Sequence, residues 1–308
     1  MSILENSFII AGPTASGKTK LAIKLAKLLG TEIICMDSMT LFKDMNIGTA
    51  KPTPYEQSLV KHHLLDILLP TESSNVQFWL NCAKETAGEL IRRGKSPIFV
   101  GGTPLYLKAL LFGLFEIPEI PKNIRIELED KYPKDSFADA FNLLKEIDPA
   151  SANKIHPNDR RRIIRALEVW QGLGKTISSL QKQWEIETNT SFNPYKIKCI
   201  WLKTDRPSLH EKIQLRTSQL LKNGWIEEVK ILHQKYKSLG KEAAQAIGYS
   251  QISKYLHGLM NYSEMEENIN LATRQLAKKQ ETWFRHIPGC IPVPVENKFN
   301  FWGFDIDI

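Results

Sequence analysis

The chain has 308 residues, of which 42% are hydrophobic and 24% charged, and it carries a formal net charge of +7 with a pI near 9.1. These are the proportions of a soluble globular protein with room for two domains, or for one domain with a sizeable insertion, and no apolar run is long enough to span a bilayer. The first residues lack a signal-peptide pattern, and Cys35, Cys82, Cys199 and Cys290 are scattered with no Cys-x-x-Cys pair, so a cytoplasmic protein with reduced core thiols is expected. The basic balance is compatible with a polyanionic partner but does not specify one.

Phe8-Ile9-Ile10-Ala11 reads as a buried strand, and Gly12-Pro13-Thr14-Ala15-Ser16-Gly17-Lys18-Thr19 follows it directly. This octapeptide fits the phosphate-binding loop template, and helical spacing of Leu21, Leu25, Leu28 and Leu29 continues to Gly30. Backbone N–H groups and the helix N-terminus would converge there on an anion, with Lys18 adding charge and Thr19 placed to ligate Mg²⁺. Glu32 to Asp37 is a second short strand that places Asp37 on the same rim of a parallel sheet. Asp37 could accompany Mg²⁺, act as a general base, or cap the turn that continues with Ser38.

His62 to Ile67 reads as a third strand, Val76 to Arg93 as a helix, and Pro97 to Val100 as a strand entering Gly101-Gly102-Thr103. A strand ending in two glycines permits close approach of a ligand, and Thr103 adds a hydroxyl. From Pro118 to about Trp184 only amphipathic helices are expected. Within them, Asn158 or Asp159 can cap a helix whose first turns hold Arg160, Arg161, Arg162, Ile163, Ile164 and Arg165. Cations there oppose the helix dipole, so either an external anion such as RNA or internal pairing, for example Arg165 with Glu168, must account for them. Gly172 to Thr176 resembles a second phosphate loop but lacks its first glycine and a preceding strand. It reads as a turn.

Lys196 to Leu202 returns to strand character. A long helix carrying Arg216 follows, then a helix from Trp225, a break at Gln245-Ala246-Ile247-Gly248-Tyr249-Ser250, and a last helix holding Thr273 to Gln280 with Trp283-Phe284-Arg285. Basic residues interleaved with aromatic ones suit RNA, although the rings could equally be core. The expected fold is α/β, a P-loop parallel sheet flanked by helices with a helical insertion domain. Residues 1–116 and 196–308 form the core domain, and 117–195 the insertion.

Taken together, Gly12–Thr19, Asp37-Ser38, Ile47–Pro52, His62–Ile67, Gly101–Thr103, His156–Asp159, Arg165–Val169, Gly248-Tyr249 and Thr273–Arg285 resemble the tRNA dimethylallyltransferase family. These blocks cover about residues 8 to 286 in the family's order. The chain departs from it at Thr40, Leu41 and Phe42, where Gln, Val and Tyr are usual. The resemblance implies transfer of a dimethylallyl group from dimethylallyl diphosphate to N6 of the adenosine 3′ to the anticodon, with Mg²⁺ as cofactor and a monomeric enzyme. It places the diphosphate on Gly12–Thr19, the base role on Asp37, and Lys18, Thr103 and Arg216 around the reacting groups. Contact with the tRNA anticodon stem-loop falls to Asp37-Ser38-Met39-Thr40, Arg161–Arg165 and Gln245–Ser250. A P-loop kinase using ATP and a nucleotide-switched RNA-binding protein remain as rivals. The first leaves the arginine-rich insertion without a task, and the second leaves Asp37 without one.

Overall fold

A computed structural model describes residues 3–114, 118–133, 137–182, 193, 196–295 and 298–307. The chain divides into two compact units, residues 1–111 with 193–308, and residues 112–192.

The first unit is built on six strands in the order β3-β2-β4-β1-β5-β6, every adjacent pair parallel. They are β1 (Phe8–Ala11), β2 (Ile33–Cys35), β3 (His62–His63), β4 (Ile98–Gly101), β5 (Lys198–Lys203) and β6 (Ile291–Pro294). The continuous apolar runs of β1 and β4 are buried at every position, as a parallel sheet covered on both faces requires. Helices α1 (Lys18–Leu29), α2 (Pro54–Leu59), α3 (Val76–Arg92) and α4 (Pro104–Phe112) belong to the first half of this unit. α2 begins at a reciprocal cap: the Thr53 hydroxyl accepts from the Glu56 N–H, and the Glu56 carboxylate accepts from the Thr53 N–H.

The expected third strand is shorter than the apolar pattern implies. Only His62 and His63 pair, because Leu64 (φ 60) and Asp66 (φ 55) take left-handed conformations that a strand cannot hold. The side chain of Asp66 then reaches Lys51, N to O 2.6 Å. The C-terminal stretch, for which the sequence carried no expectation, adds β6 to the sheet and closes with an antiparallel pair, β7 (Lys298–Phe301) and β8 (Phe304–Asp307). Positive φ at Trp302 and Gly303 makes the tight turn between them, and Trp302 and Phe304 pack edge-on against Phe8.

The second unit contains α5 (Lys122–Lys131), α6 (Phe137–Ile147), α7 (Pro149–Ala152) and α8 (Arg160–Leu173). Leu128, Ala140, Leu144, Ile163, Ile164 and Leu167 form its core. Asp148 caps α7 through the Ser151 N–H (3.0 Å) and also accepts from the Ser178 N–H (3.1 Å), joining α7 to the chain beyond α8. Gly174 ends α8 in a left-handed cap, so the Gly172–Thr176 stretch is the helix exit that its sequence context implied. The rest of the first unit is helical: α9 (Arg206–Lys222), α10 (Trp225–Lys235), α11 (Lys241–Ala244), α12 (Tyr249–Leu256) and α13 (Tyr262–Arg285). Among the described residues, no helix is long and apolar enough to cross a membrane.

Candidate active site

Gly12–Thr19 links β1 to α1, the arrangement that turns a glycine-rich loop into an anion cradle. Ala15 (φ 62) and Gly17 (φ 85) both have positive φ, which turns successive N–H groups toward a common concavity. The Lys18 ammonium donates to the Pro13 carbonyl at 3.1 Å and so lies across the loop it belongs to. Burial, and next the charge of Arg216, hold its pKa down at about 8 against the attraction of Asp37.

The opposite wall comes from the carboxyl ends of β2 and β4. The Met36 N–H donates to the Val100 carbonyl (2.7 Å), the Thr103 N–H to the Met36 carbonyl (3.3 Å), and the Ser38 N–H to the Thr103 hydroxyl (3.2 Å). A side chain at Gly101 would put its Cβ 1.9 Å from the Met36 carbonyl oxygen, so only glycine lets the two strand ends come this close. Between them sits Asp37. Its Oδ1 accepts from the Met39 N–H (2.9 Å) and its carbonyl from the Thr40 hydroxyl (3.2 Å). The turn-capping role is therefore real, and Asp37 still lines the cavity. Burial raises the Asp37 pKa, opposed by the Met39 N–H and by the charges of Lys18 and Arg216.

Arg216 enters from α9. Burial lowers its pKa, and the carboxylates of Asp37 and Glu56 pull the other way. Lys18, Thr19, Asp37, Ser38, Met39, Thr40, Thr103 and Arg216 all line one cavity of about 510 Å³. The structure thus gathers the four residues expected to do chemistry. Leu41 and Phe42, two of the departures from the family pattern, are fully buried core residues that do not line it.

Gln245, Ala246, Ile247 and Tyr249 line the same cavity. They are held by a device that the sequence did not disclose. The Glu228 carboxylate accepts from the N–H groups of Asn46 (2.8 Å), Ile47 (2.7 Å) and Gly48 (3.2 Å) and from the Tyr249 hydroxyl (2.6 Å). Burial, followed by the Glu228 charge, pushes the Tyr249 pKa far up, so this hydroxyl remains a donor. The Trp225 ring lies so close to Gly48 and Gly248 that a Cβ on either would fall within 2.0 Å of it.

The basic–aromatic helix divides its faces. Lys278, Lys279, Trp283 and Arg285 are exposed, whereas Phe284 is core and stacks on Trp201 with centroids 6.2 Å apart. Thr273, Leu276 and Gln280 of α13 line the cavity, so this helix belongs to the site and is more than an outer surface. Gln280 went unrecognised in the sequence as a site residue.

The arginine-rich helix of the second unit needs one correction. Ile163 and Ile164 are 0% and 1% exposed in that unit's core, so their side chains are closed to any RNA. Most of the arginines have partners within the unit. Arg165 (3.1 Å) and Arg125 (3.6 Å) face Glu168, Arg162 pairs with Asp159 (2.7 Å), and Arg160 donates to the carbonyls of Glu129 and Tyr132 (3.1 Å each). Arg160, Arg162 and Arg165 of α8 thus have internal partners, one of the two readings that the sequence left open. Arg161 is exposed.

The IPP transferase family model matches residues 40–287, and the isopentenyl transferase model matches residues 5–67. The chain is 43% identical over 292 residues to the tRNA dimethylallyltransferases of Francisella tularensis subsp. tularensis and of Francisella philomiragia, with 94% of each chain covered. Among solved structures, the tRNA isopentenylpyrophosphate transferase of Bacillus halodurans matches with a TM-score of 0.67 at 35% identity, covering 94% of this chain and 90% of that one. A eukaryotic dimethylallyltransferase, described as acting on tRNA, matches with a TM-score of 0.76 at 27% identity, covering 94% and 73%. A parallel P-loop sheet, a cavity that gathers Lys18, Asp37, Thr103 and Arg216, and similarity along nearly the whole length agree on one conclusion: the chain belongs to the IPP transferase family, that of the tRNA dimethylallyltransferases.

Proposed function

We propose that the protein transfers a dimethylallyl group from dimethylallyl diphosphate to N6 of the adenosine 3′-adjacent to the anticodon of tRNA, releasing diphosphate, as a cytoplasmic monomer. The observation that carries this reading is a carboxylate, Asp37, facing two cations, Lys18 and Arg216, across one cavity. Phosphoryl-transfer sites use such a carboxylate too, so it is the similarity to tRNA dimethylallyltransferases along 94% of the chain that favours alkylation of an amine, with Asp37 as its base.

In the proposed reaction the allylic C–O bond breaks and its electron pair leaves with the diphosphate. The loop N–H groups, Lys18 and Arg216 stabilise that growing charge. The N6 lone pair forms the C–N bond, and the proton that N6 then sheds passes to Asp37, whose raised pKa makes it a stronger base than an ordinary carboxylate. Thr103 directs its hydroxyl beside the acceptor. The Thr19 hydroxyl has no partner within the chain among the described residues and lines the cavity beside Lys18 at the phosphate loop, where with water and diphosphate oxygens it suits Mg²⁺. Bound there, the ion would supply positive charge against the diphosphate. The adenine must leave its stack to enter the cavity. Ser38, Met39, Thr40 and Gln245–Ser250 line or border the place where it would stand, and the exposed Arg161, Lys278 and Lys279 suit the RNA backbone.

The test supplies labelled dimethylallyl diphosphate, Mg²⁺ and tRNA to the purified protein. Label in tRNA bearing adenosine at the target position, and none when that adenosine is replaced, is the expected result. Absence of label in both overturns the proposal.

A further inference from the structure

Gln280 is 5% exposed in the wall of the cavity, and its carboxamide makes two hydrogen bonds to segments far from it in sequence. Its Oε1 accepts from the Thr14 N–H of the phosphate loop at 3.0 Å, and its Nε2 donates to the Gly102 carbonyl at 2.6 Å. The side chain therefore spans the cleft between the loop that would hold the leaving group and the strand end that carries Thr103. Thr103 in turn accepts from the Ser38 N–H next to Asp37. Gly102 is required for this contact, since a Cβ there would lie 2.7 Å from Nε2 and 3.3 Å from the Gly12 carbonyl oxygen. The helix is itself fixed beneath the site. Phe284, one turn along α13, stacks on Trp201, and Trp201 is the register partner of Ala11, the residue before the loop.

The geometry points to Gln280 as a positioning residue for the transfer. It sets the separation between the diphosphate cradle and the Thr103–Ser38–Asp37 wall without itself touching the reacting atoms. Transfer at an allylic carbon requires the leaving oxygen, the carbon and the attacking nitrogen to align, so a small change in the spacing of the two walls acts on the rate more than on binding. A carboxamide is the neutral group that can accept from one wall and donate to the other at once. This inference rests on the proposed function.

Two variants test it. Gln280→Met keeps the volume and removes both bonds. Gln280→Glu keeps the acceptor for Thr14, and its protonated acid form can also donate to Gly102. In single-turnover transfer, Gln280→Met is expected to lower kcat at least 10-fold, with the KM for dimethylallyl diphosphate and the tRNA affinity changed less than about 3-fold. Gln280→Glu is expected to recover toward the wild-type rate as pH falls, when both are compared at each pH, whereas the deficit of Gln280→Met stays constant. A double-mutant cycle of Gln280→Met with Thr103→Val should be non-additive. Wild-type kcat in both variants overturns the inference, as does a loss that follows KM alone or that comes with unfolding in both. A wild-type protein that transfers nothing overturns the proposed function, whereas normal transfer by both variants removes only the role of Gln280.

Discussion

The Thr103 hydroxyl accepts the Ser38 N–H at 3.2 Å, which leaves its own hydrogen free to donate, and Thr103 lines the cavity. Two strand ends are joined by a group that also faces the reaction. Thr103→Val leaves the Ser38 N–H unpaired, at a stability cost of about 1–3 kcal/mol, and removes the donor. Its kcat should fall about 10- to 100-fold, while Thr103→Ser stays within about 3-fold of wild type. Single-turnover transfer, with thermal melts of both variants, measures this.

Asp37→Ala should reduce transfer by about three orders of magnitude or more while tRNA still binds, because the carboxylate is assigned to the proton and not to recognition. A filter-binding assay beside the transfer assay separates the two. Loss of tRNA binding at unchanged stability would make Asp37 a recognition residue.

Lys18 gives the reaction an alkaline limit. With its pKa at about 8 in the free protein, it loses its charge as pH rises through that value, and the diphosphate loses a counter-ion. The profile of kcat/KM for dimethylallyl diphosphate should therefore fall above about pH 8. The same limb in kcat should lie higher, because the bound diphosphate anion favours the ammonium. Lys18→Arg should abolish the limb near 8 while lowering the overall rate.

Gly48→Ala and Gly248→Ala should each fail for the same reason. Each new Cβ would overlap the Trp225 ring, and Gly248 also has φ 89. A cost of about 2–4 kcal/mol is expected for either, read by urea denaturation. Glu228→Ala frees the N–H groups of residues 46–48 and should loosen the same loop with no steric clash. Protease nicking near Asn46–Ala50 reports that loosening.

Glu32 makes stability depend on acid. Burial by itself would raise its pKa, but hydrogen bonds from Lys95 and His63 and the charges of Lys95 and Arg93 bring it down to about 2. The unfolded chain binds the proton first, so this stabilisation is complete above about pH 4.5 and is lost as pH falls toward 2. The melting temperature of Glu32→Gln should be lower at neutral pH and vary less with pH between 5 and 3 than that of the wild type.

The phosphate loop was legible because glycine spacing, a preceding strand and a following helix are all local. Asp37 and Thr103 were legible because a strand end in a parallel sheet has a known rim. Gln280 was not. Its partners lie 266 and 178 residues away, and nothing in a Lys-Lys-Gln-Glu run distinguishes a cavity wall from a solvated face. The partners of the α8 arginines were only partly legible, for a related reason. Arg160 finds its acceptors in the carbonyls at the C-terminal end of α5, a tertiary contact that composition cannot register. The strand expected through Ile67 stopped at His63 because two non-glycine residues took positive φ, contrary to their local preference.

β1, which feeds the phosphate loop, lies between β4 and β5, and β5 begins at Lys198. A chain leaving the ribosome thus presents one flank of its central strand unpaired until the whole 112–192 segment has been made, and Gln280 arrives later still. During synthesis the anion cradle comes first and its brace comes last. An abortive product ending before α13 would retain the glycine loop yet lack the strut that spans the cleft, so translation delivers a competent site only after α13 has been made.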